Sequence, residues 1–338
     1  MGDTDRMDHI LREDMEYIAR SNEIDWDMLK GKSVLVTGST GLIGSQIVLA
    51  LDKYNELYDG QIRLYALARN REKAEKIFER TTACVKVVLG DIRETIAIGE
   101  GIDYIIHGAS MTSSREFVEY PVETILTGMQ GTNQVLCLAK EKKIKGMVYL
   151  SSLEVYGVTD PAKKSIKEDE YGYLDQMLPR SSYPEGKRMA ECLCISYGHE
   201  YGVPVKIARL SQTFGAGVSY EDNRVFAQFA RCAIEGKDIV LKTKGETYRN
   251  YCYVRDAVIG ILCVLLKGNV NEAYNIANKE AGISICDMAH LVADEIAEQK
   301  IRVVFDIVED VSKLGYGPTI KIALDTEKTE QLGWTPEV

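Results

Sequence analysis

Three glycines spaced three residues apart limit the fold of this chain more than any other sequence feature. They follow a short β-rich apolar run, Ser33–Val36, and precede a stretch typical of a helix, Ser45–Leu57. Between a strand and a helix, such glycines allow a tight turn, a close approach of backbone to pyrophosphate and close helix packing, while the helix N-terminus adds N–H donors. A plain structural turn is the alternative, but this position favours a dinucleotide site. Its residues are Gly38, Gly41, Leu42, Ile43 and Gly44.

Apolar runs of strand length alternate with helix-compatible stretches over the first two thirds of the chain. The apolar runs are Ile62–Ala68, Val85–Leu89, Tyr104–His107, Met147–Ser151 and Val205–Leu210. The helical stretches are Arg71–Arg80, Val122–Lys142 and Pro184–Tyr201. Such alternation indicates βαβ units. We therefore predict an α/β fold with a doubly wound, Rossmann-type parallel sheet and helices on both of its faces.

The last third of the sequence is less regular and predicts a smaller mixed α/β lobe. Its helix-like segments are Val225–Glu235 and the apolar Val258–Leu266. A strand-like segment lies at Ile239–Lys242, and short apolar runs lie near Tyr274 and at Ile301–Val308. We expect an N-terminal helical extension over residues 1–30, a dinucleotide-binding domain over 31–210 and a substrate lobe over 211–338. The last boundary is soft, because the two larger units interleave.

The composition excludes several classes of protein. The 338 residues include 41 Lys and Arg against 51 Asp and Glu, a net charge of −10, so a nucleic-acid partner is not expected. Neither a signal peptide nor a run of about 18 apolar residues is present, so we expect a cytoplasmic protein without membrane contact. The eight cysteines are scattered and predict free thiols. Cys192 and Cys194 point to different faces of a helix, so no metal site is predicted.

A tyrosine and a lysine four residues apart form the second motif. Tyr183 and Lys187 open an apolar helix, where this spacing places both side chains on one face. An ammonium group beside a phenol lowers the pKa of the phenol, so that Tyr183 can accept a proton near neutral pH. An ordinary exposed pair is the alternative. The position about 145 residues after the glycine loop favours the catalytic interpretation.

A hydroxyl and a carboxylate at a strand end form the third motif. Ser152 and Glu154 follow the apolar run that begins at Met147. Open α/β sheets bind ligands outside the carboxyl ends of their strands, where these groups are placed for hydrogen bonding or proton transfer. Alternatively, Ser151 and Ser152 cap the next segment and Glu154 faces solvent.

In this order the three motifs resemble the extended short-chain dehydrogenase/reductases, the nucleotide-sugar epimerases, dehydratases and decarboxylases. The resemblance runs from about Gly31 to residues 332–336. It implies that Asp91 and Ile92 meet the adenine and that an arginine, Arg249 here, binds the sugar-nucleotide phosphates with its guanidinium fork. The segment that flanks the cofactor in this family corresponds here to Gly108, Ala109 and Ser110.

Within the family, the sequence looks most like UDP-glucuronate decarboxylases, in which a Ser or Thr, a Glu and an Arg surround the substrate carboxylate. The substrate residues implied by this resemblance are Ser110, Ser152, Glu154, Gln212, Arg224 and Arg249. A nucleotide-sugar 4,6-dehydratase and a 4-epimerase are the alternatives. Leu153, where the dTDP-glucose branch has an aspartate, argues against that dehydratase, and simple 4-epimerases commonly lack the glutamate.

The sequence departs from the family pattern at several positions. Gly128 and Gln212 stand where the family usually has asparagine, and Ala216 replaces a frequent proline. Arg69 ends the second strand region, where NAD-preferring members often have an acidic residue. A cation there would tolerate a 2′-phosphate, so we predict NAD as the cofactor and leave NADP open; Arg69 facing solvent is the other interpretation.

The resemblance implies a nucleotide-diphosphate sugar as substrate and a transient oxidation at its C4. Ser152 and Tyr183 would hold the C4 hydroxyl, and Lys187 would also bind the nicotinamide ribose. A one-way NADP-dependent reductase and a non-catalytic dinucleotide sensor are the competing hypotheses, and the sensor would not need the Ser152, Tyr183 and Lys187 set. The family also implies a homodimer, and its members usually continue with a last helix beyond Trp334, which is either absent or outside the numbered chain.

Overall fold

The computed structural model describes residues 3–160, 162–309, 316 and 319–338, with backbone alone for residues 3–8. Its strands are β1 Ser33–Thr37, β2 Arg63–Ala68, β3 Val85–Leu89, β4 Tyr104–His107, β5 Gly146–Ser152, β6 Val205–Leu210, β7 Gln212–Phe214, β8 Ile239–Leu241, β9 Tyr248–Tyr253, β10 Ala273–Ile276, β11 Gly282–Ser284, β12 Val303–Phe305 and β13 Lys321–Ile322. Its helices are α1 Asp3–Arg20, α2 Trp26–Leu29, α3 Leu42–Tyr58, α4 Arg71–Phe78, α5 Glu116–Glu119, α6 Pro121–Lys142, α7 Ser182–Tyr201, α8 Val225–Glu235, α9 Val254–Lys267, α10 Ile285–Leu291 and α11 Glu327–Glu330.

Seven of the described strands form one sheet in the order β10-β6-β5-β4-β1-β2-β3. Every neighbouring pair in it is parallel. The register aligns Thr37 with Leu67 and His107, so the carboxyl ends of β2, β1 and β4 lie at one edge of the sheet. The predicted doubly wound α/β fold is therefore confirmed.

The sheet is buried on both faces because its strands carry apolar side chains at successive positions. Val34 and Val36 belong to a core shared with α1, α3 and α9. The intervening Leu35 belongs to a second core shared with α6 and α7. Side chains alternate between faces along a strand, so β1, buried along its whole length, contributes to both layers.

The C-terminal elements form smaller sheets beside the main one. β9 pairs with β7, β11 and β13, and β8 pairs with β12. A separate apolar cluster under α8 and α10 includes Phe229, Leu241 and Ile301. The chain returns from this lobe through α9 and β10, and β10 is the last strand of the main sheet. The division at residue 210 stays a prediction, since material from both sides of it builds the central sheet.

Two helices begin earlier than the sequence pattern predicts. α3 begins at Leu42 and α9 at Val254, whereas the expected starts are Ser45 and Val258. In α3, Gly41 caps the helix without a side chain, so the last residues of the glycine loop already form the first turn. Among the described helices, none combines the length and the apolar composition that a transmembrane span requires.

Trp334 closes the core beneath α9. Its side chain is fully buried and its indole nitrogen donates to the carbonyl of Asp256, 2.9 Å away. A Cβ placed on Gly260 would lie 3.0 Å from the indole ring, so a larger residue there would have to displace the ring by a few tenths of an ångström.

We expect Trp334→Ala to lower the free energy of unfolding by about 3–5 kcal/mol, because a large buried ring and its hydrogen bond are lost. Urea unfolding followed by circular dichroism measures the change. Phe305→Ala is the matched control, since Phe305 is about half exposed (49%) and its loss should change stability by less than about 1 kcal/mol. Equal effects of the two substitutions would contradict the assignment of Trp334 to the core.

Candidate active site

The glycine loop connects β1 and α3 in a conformation that only small residues allow. Gly38 has a φ of +70°, and a Cβ there would lie 2.8 Å from the carbonyl oxygen of Gly108. A Cβ on Gly44 would lie 2.3 Å from the carbonyl oxygen of Gly38. The loop therefore touches both the segment after β4 and the first turn of α3.

The first turn of α3 has the character of an anion site. Its N-cap, Gly41, supplies no side-chain acceptor, and the turn contains no acidic residue. The N–H groups at this helix end and their partial positive charge suit a pyrophosphate. Together with the close-packed glycines, these residues fit the diphosphate of a dinucleotide.

Residues predicted to meet the adenosine half lie at the ends of β2 and β3. Arg69 is exposed, and Asp91 accepts hydrogen bonds from Arg93 at 2.7 and 3.0 Å. These bonds, with the Arg69 charge in addition, lower the pKa of Asp91 to about 2. Ile92 is buried under α6. The charge of Arg69 is thus partly balanced by the Asp91 carboxylate.

The segment after β4 is fixed to the end of β1. The backbone N–H of Ala109 donates to the Thr37 hydroxyl at 3.2 Å, and that hydroxyl lies 2.7 Å from Nδ1 of His107. Burial lowers the pKa of His107 to about 3, with the Lys187 charge as a second cause. The neutral imidazole is therefore a structural link, and it holds Gly108, Ala109 and Ser110 beside the glycine loop.

Tyr183 and Lys187 lie on one face of α7, as their spacing predicts. The Tyr183 ring stacks on Phe117, with the ring centroids 4.1 Å apart. Lys187 is buried, and its Nζ donates to the carbonyl of Leu150 at 2.7 Å. Its Nζ lies 5.9 Å from the centre of the Tyr183 ring. The structure thus brings the two groups together at the end of β5.

The prediction that Lys187 lowers the pKa of Tyr183 is wrong. Burial raises the pKa of Tyr183, and the Glu154 carboxylate raises it further. A hydrogen bond with Ser152 and the charges of Arg180 and Arg224 lower it, but by less. The cations that favour the phenolate are therefore arginines. Lys187 instead donates to a backbone carbonyl, and burial lowers its own pKa to about 8.

Glu154 does not face solvent alone, because it pairs with an arginine that the sequence motifs miss. Nη2 of Arg180 lies 2.8 Å from one carboxylate oxygen and 3.0 Å from the other. Ser152 caps the turn that contains Glu154, because its hydroxyl accepts a hydrogen bond from the backbone N–H of Glu154 at 3.2 Å. Arg180 stands three residues before Tyr183. A cation so close to the Tyr183 motif is the sequence feature that could have indicated its place at the site.

A buried ion pair behind Lys187 was also missed. Glu191 lies one helical turn after Lys187 and accepts hydrogen bonds from Arg209 at 2.7 and 3.0 Å. Arg209 is fully buried on β6. The Glu191 charge raises the pKa of Lys187 and so opposes the effect of burial. Tyr183, Lys187 and Glu191 follow one another at intervals of four residues. This spacing could have indicated that Glu191 acts on the charge of Lys187.

The predicted substrate residues of the lobe fall into two places. Arg224 caps α8 and lies close enough to lower the pKa of Tyr183, but its guanidinium contacts Asp222 at 2.6 Å. Gln212 and Arg249 lie on the paired strands β7 and β9, and both are half-buried. Their roles stay predictions.

A glycine loop on a parallel sheet, with a Tyr-x-x-x-Lys helix at the carboxyl edge, defines a dinucleotide-dependent enzyme of the extended short-chain dehydrogenase/reductase type. A profile of the NAD dependent epimerase/dehydratase family matches residues 34–277. The chain therefore belongs to that family. This membership confirms two predictions: the family, which the motifs indicated, and NAD as the cofactor.

Curated relatives are similar over most of the chain. UDP-glucuronic acid decarboxylase 1 of Danio rerio is 30% identical over 272 residues, which span 79% of this chain and 62% of that protein. UDP-glucuronic acid decarboxylase 6 of Arabidopsis thaliana is 30% identical over 310 residues, 90% of this chain and 84% of that protein. The chain thus spans less than two thirds of the first relative's length.

Two solved structures have the same fold. The UDP-glucose 4-epimerase of Thermotoga maritima, solved with UDP-glucose, covers 90% of this chain and 94% of its own, with a TM-score of 0.74 and 22% identity. A dTDP-glucose 4,6-dehydratase of Streptomyces venezuelae, solved with NAD, covers 90% and 92%, with a TM-score of 0.73 and 24% identity.

We expect Gly44→Ala to weaken NAD binding by at least about tenfold, because the added methyl group pushes α3 away from the loop at a free-energy cost of about 1–3 kcal/mol. Titration calorimetry with NAD measures this. Gly99→Ala is the control, since a Cβ there would meet nothing within 4 Å. Unchanged NAD affinity in the Gly44 variant would contradict the placement of the pyrophosphate.

We expect Glu191→Gln to shift the alkaline limb of the pH–rate profile to lower pH. The ammonium form of Lys187 exists below its pKa of about 8, and removing the negative charge lowers that pKa further. Activity that requires the ammonium is then lost earlier as the pH rises.

Glu185→Gln, on the same helix and paired with Arg188 at 3.8 Å, is the control and should leave the limb in place. Because Glu191→Gln leaves Arg209 buried without its carboxylate, a loss of about 3–5 kcal/mol of stability is expected. The double variant with Arg209→Met restores folding and should keep the shifted limb. An unshifted limb in both variants would show that Glu191 does not tune Lys187.

Proposed function

We propose that this enzyme decarboxylates a nucleotide-linked hexuronic acid, with UDP-glucuronate as the substrate, through transient oxidation at C4. The observation that carries the proposal is the charge around Tyr183. Its phenol is influenced by one carboxylate, Glu154, and by two arginines, Arg180 and Arg224. Two guanidinium groups close to the phenol suit a substrate that has its own carboxylate next to C4. Similarity to proteins named UDP-glucuronic acid decarboxylase supports the same substrate.

The proposed roles at C4 follow from the contacts of Ser152 and Tyr183. The Ser152 hydroxyl lies close enough to the phenol to lower the pKa of Tyr183, so both side chains can hold one substrate hydroxyl between them. Tyr183 accepts the proton of that hydroxyl, and the Ser152 hydroxyl and the charges of Arg180 and Arg224 favour the phenolate against burial. Lys187 binds the nicotinamide ribose. When bound, NAD would supply the oxidation of C4 to a ketone and its later reduction. The ketone takes up the electron pair of the bond between C5 and the carboxylate as carbon dioxide leaves, and C5 then gains a proton from water. Tyr183 holds the proton between these events and returns it to the C4 oxygen.

The remaining predicted residues complete the proposed site. The glycine loop binds the NAD pyrophosphate and Asp91 its adenosine half, while Gln212 and Arg249 bind the substrate diphosphate from the lobe. Arg249 lies two residues before Tyr251 on β9, and side chains two residues apart share a face of a strand. Tyr251 in turn is aligned with Gln212. This places both polar groups at one surface of the lobe.

Dehydration is the second candidate reaction, and Glu154 is the observation that favours it. A carboxylate two residues after Ser152 can remove the C5 proton of a substrate without a carboxylate group, and water then leaves from C6. An epimerase needs no such base.

We also propose that two copies of the chain associate through α6 and α7. These helices pack against each other and expose large apolar side chains. The exposed residues are Val122, Ile125, Leu126 and Met189. Pairing of the same face in two copies would cover them.

The experiment for the proposed function is incubation with UDP-glucuronate and with UDP-, GDP-, CDP- and dTDP-hexoses, followed by mass measurement of the products. We expect loss of carbon dioxide from UDP-glucuronate with no net consumption of NAD. Loss of water from a hexose, or an unchanged mass with an inverted centre, would replace the proposal by a dehydratase or an epimerase. Consumption of one NAD per substrate would indicate a one-way oxidoreductase.

We expect Tyr183→Phe to lower kcat by about 10²–10⁴-fold, since a general base is lost, while NAD affinity changes little. Phe117→Leu, which removes only the ring stacked on Tyr183, is a milder control with an expected loss of less than about tenfold. A Tyr183→Phe enzyme with normal turnover would remove the phenol from the mechanism.

A further inference from the structure

Arg180 has a position at the site that no sequence motif assigned. It lies in a short helical turn, Pro179–Ser181, directly before α7. Its Nη2 contacts both oxygens of Glu154, and its guanidinium carbon lies 4.9 Å from the centre of the Phe117 ring. Phe117 itself stacks on Tyr183. The Phe117 ring therefore contacts both the guanidinium of Arg180 and the phenol that binds the C4 hydroxyl in the proposed reaction.

The guanidinium of Arg180 is not fully used by Glu154. Its Nε is shielded from solvent and has no hydrogen-bond partner among the residues that the structure describes. A guanidinium presents five N–H donors in a planar fork, and a carboxylate is the group that matches this fork. A shielded donor without a partner is unfavourable, so a ligand that satisfies it gains affinity.

Arg224, the residue expected to meet the substrate carboxylate, is occupied in a different way. Its Nε and Nη2 contact the Asp222 carboxylate at 2.6 to 3.1 Å, and its Nη1 donates to the carbonyl of Thr213 at 3.1 Å. The fork of Arg224 is thus already filled by a carboxylate of its own chain. Both arginines lower the pKa of Tyr183, but of these two only Arg180 retains a shielded donor without a partner among the described residues.

We infer that Arg180 recognises the carboxylate of the sugar and so selects a hexuronic acid over a neutral hexose. The inference rests on the proposed function, because it places the substrate C4 hydroxyl at Tyr183 and Ser152. The carboxylate carbon is attached to C5, next to C4, so it must lie close to the groups that surround the phenol. Arg180 then bridges two carboxylates, that of Glu154 and that of the ligand.

The bridge also gives Glu154 a second effect on binding. A substrate carboxylate that approaches Arg180 meets the negative charge of Glu154 at the same time. Glu154 therefore competes with the ligand for the donors of the Arg180 fork. Removal of this charge should tighten binding of the carboxylated ligand only when Arg180 is present.

The test compares UDP-glucuronate, UDP-glucose and UDP as ligands of the NAD-loaded protein by titration calorimetry. All proteins carry Tyr183→Phe, so that no ligand is turned over. We expect Arg180→Gln to weaken UDP-glucuronate binding by about 10- to 100-fold, with changes below about threefold for UDP-glucose and UDP. Arg180→Lys, which keeps the charge and loses the fork, should recover part of the preference. Arg302→Gln, which removes an exposed ion pair with Asp238, should leave all three affinities unchanged.

A double-mutant cycle separates recognition from a purely structural ion pair. Glu154→Gln should tighten binding of UDP-glucuronate and not of UDP-glucose. In the double variant Glu154→Gln/Arg180→Gln this gain should disappear. The thermal midpoint of each variant shows that it is folded, and the ratio of the two sugar-nucleotide affinities within one variant is independent of the folded fraction.

Several outcomes would overturn the inference. They are an equal loss of affinity for both sugar nucleotides in Arg180→Gln, an unchanged preference for UDP-glucuronate in that variant, and a reference protein without such a preference. A measurement of carbon dioxide release by the enzyme with Tyr183 intact tests the proposed function separately. If the preference for UDP-glucuronate depends on Arg180 but no carbon dioxide is released, the inference holds and the decarboxylase proposal fails. If carbon dioxide is released and Arg180→Gln keeps the preference, the proposal holds and the inference fails.

Discussion

The contact between Gly44 and the carbonyl of Gly38 is the constraint on which the site depends. Since a Cβ at Gly44 would lie 2.3 Å from that oxygen, α3 can start this close to β1 only with glycine. The helix end then lies at the carboxyl edge of the sheet. The strand register brings Thr37 level with His107, and β5 ends at Ser152 along the same edge. The residues proposed to bind the cofactor and the C4 hydroxyl therefore lie along one edge of the sheet.

At this edge the protein sets the proton affinity of one phenol by opposing influences. Burial and Glu154 raise the pKa of Tyr183, while Ser152 and two arginines lower it. Lys187 is placed by the carbonyl of Leu150 and by the charge of Glu191. The site is therefore a network of fixed charges, in which each member alters the protonation of its neighbours. This is why a residue such as Glu191 acts on the chemistry through another group.

The sequence was sufficient for those parts of the site that depend on local spacing. The glycine loop, the Tyr183 and Lys187 pair and the hydroxyl at the end of β5 each lie within a few consecutive residues, so their geometry follows from one helix or one strand end. Arg180 was missed because it meets Glu154 across 26 positions of sequence. The contacts of Arg209 with Glu191 across 18 positions, and of β10 with the main sheet, likewise depend on topology, which spacing does not encode. The start of α3 was placed three residues late because glycines were assigned wholly to the loop.

The path of the chain through the lobe has a consequence for its mobility. The polypeptide leaves the main sheet after β6 and returns to it at β10, with α9 packed against β5 and β6 on the way. The chain leaves the sheet a second time after β10 to form β11, β12 and β13, so three connections join the lobe to the main sheet. A single cut between β7 and β9 would therefore leave both fragments attached to that sheet. A rotation of the lobe against the sheet would have to bend all three connections at once, which opposes large movements between the two parts.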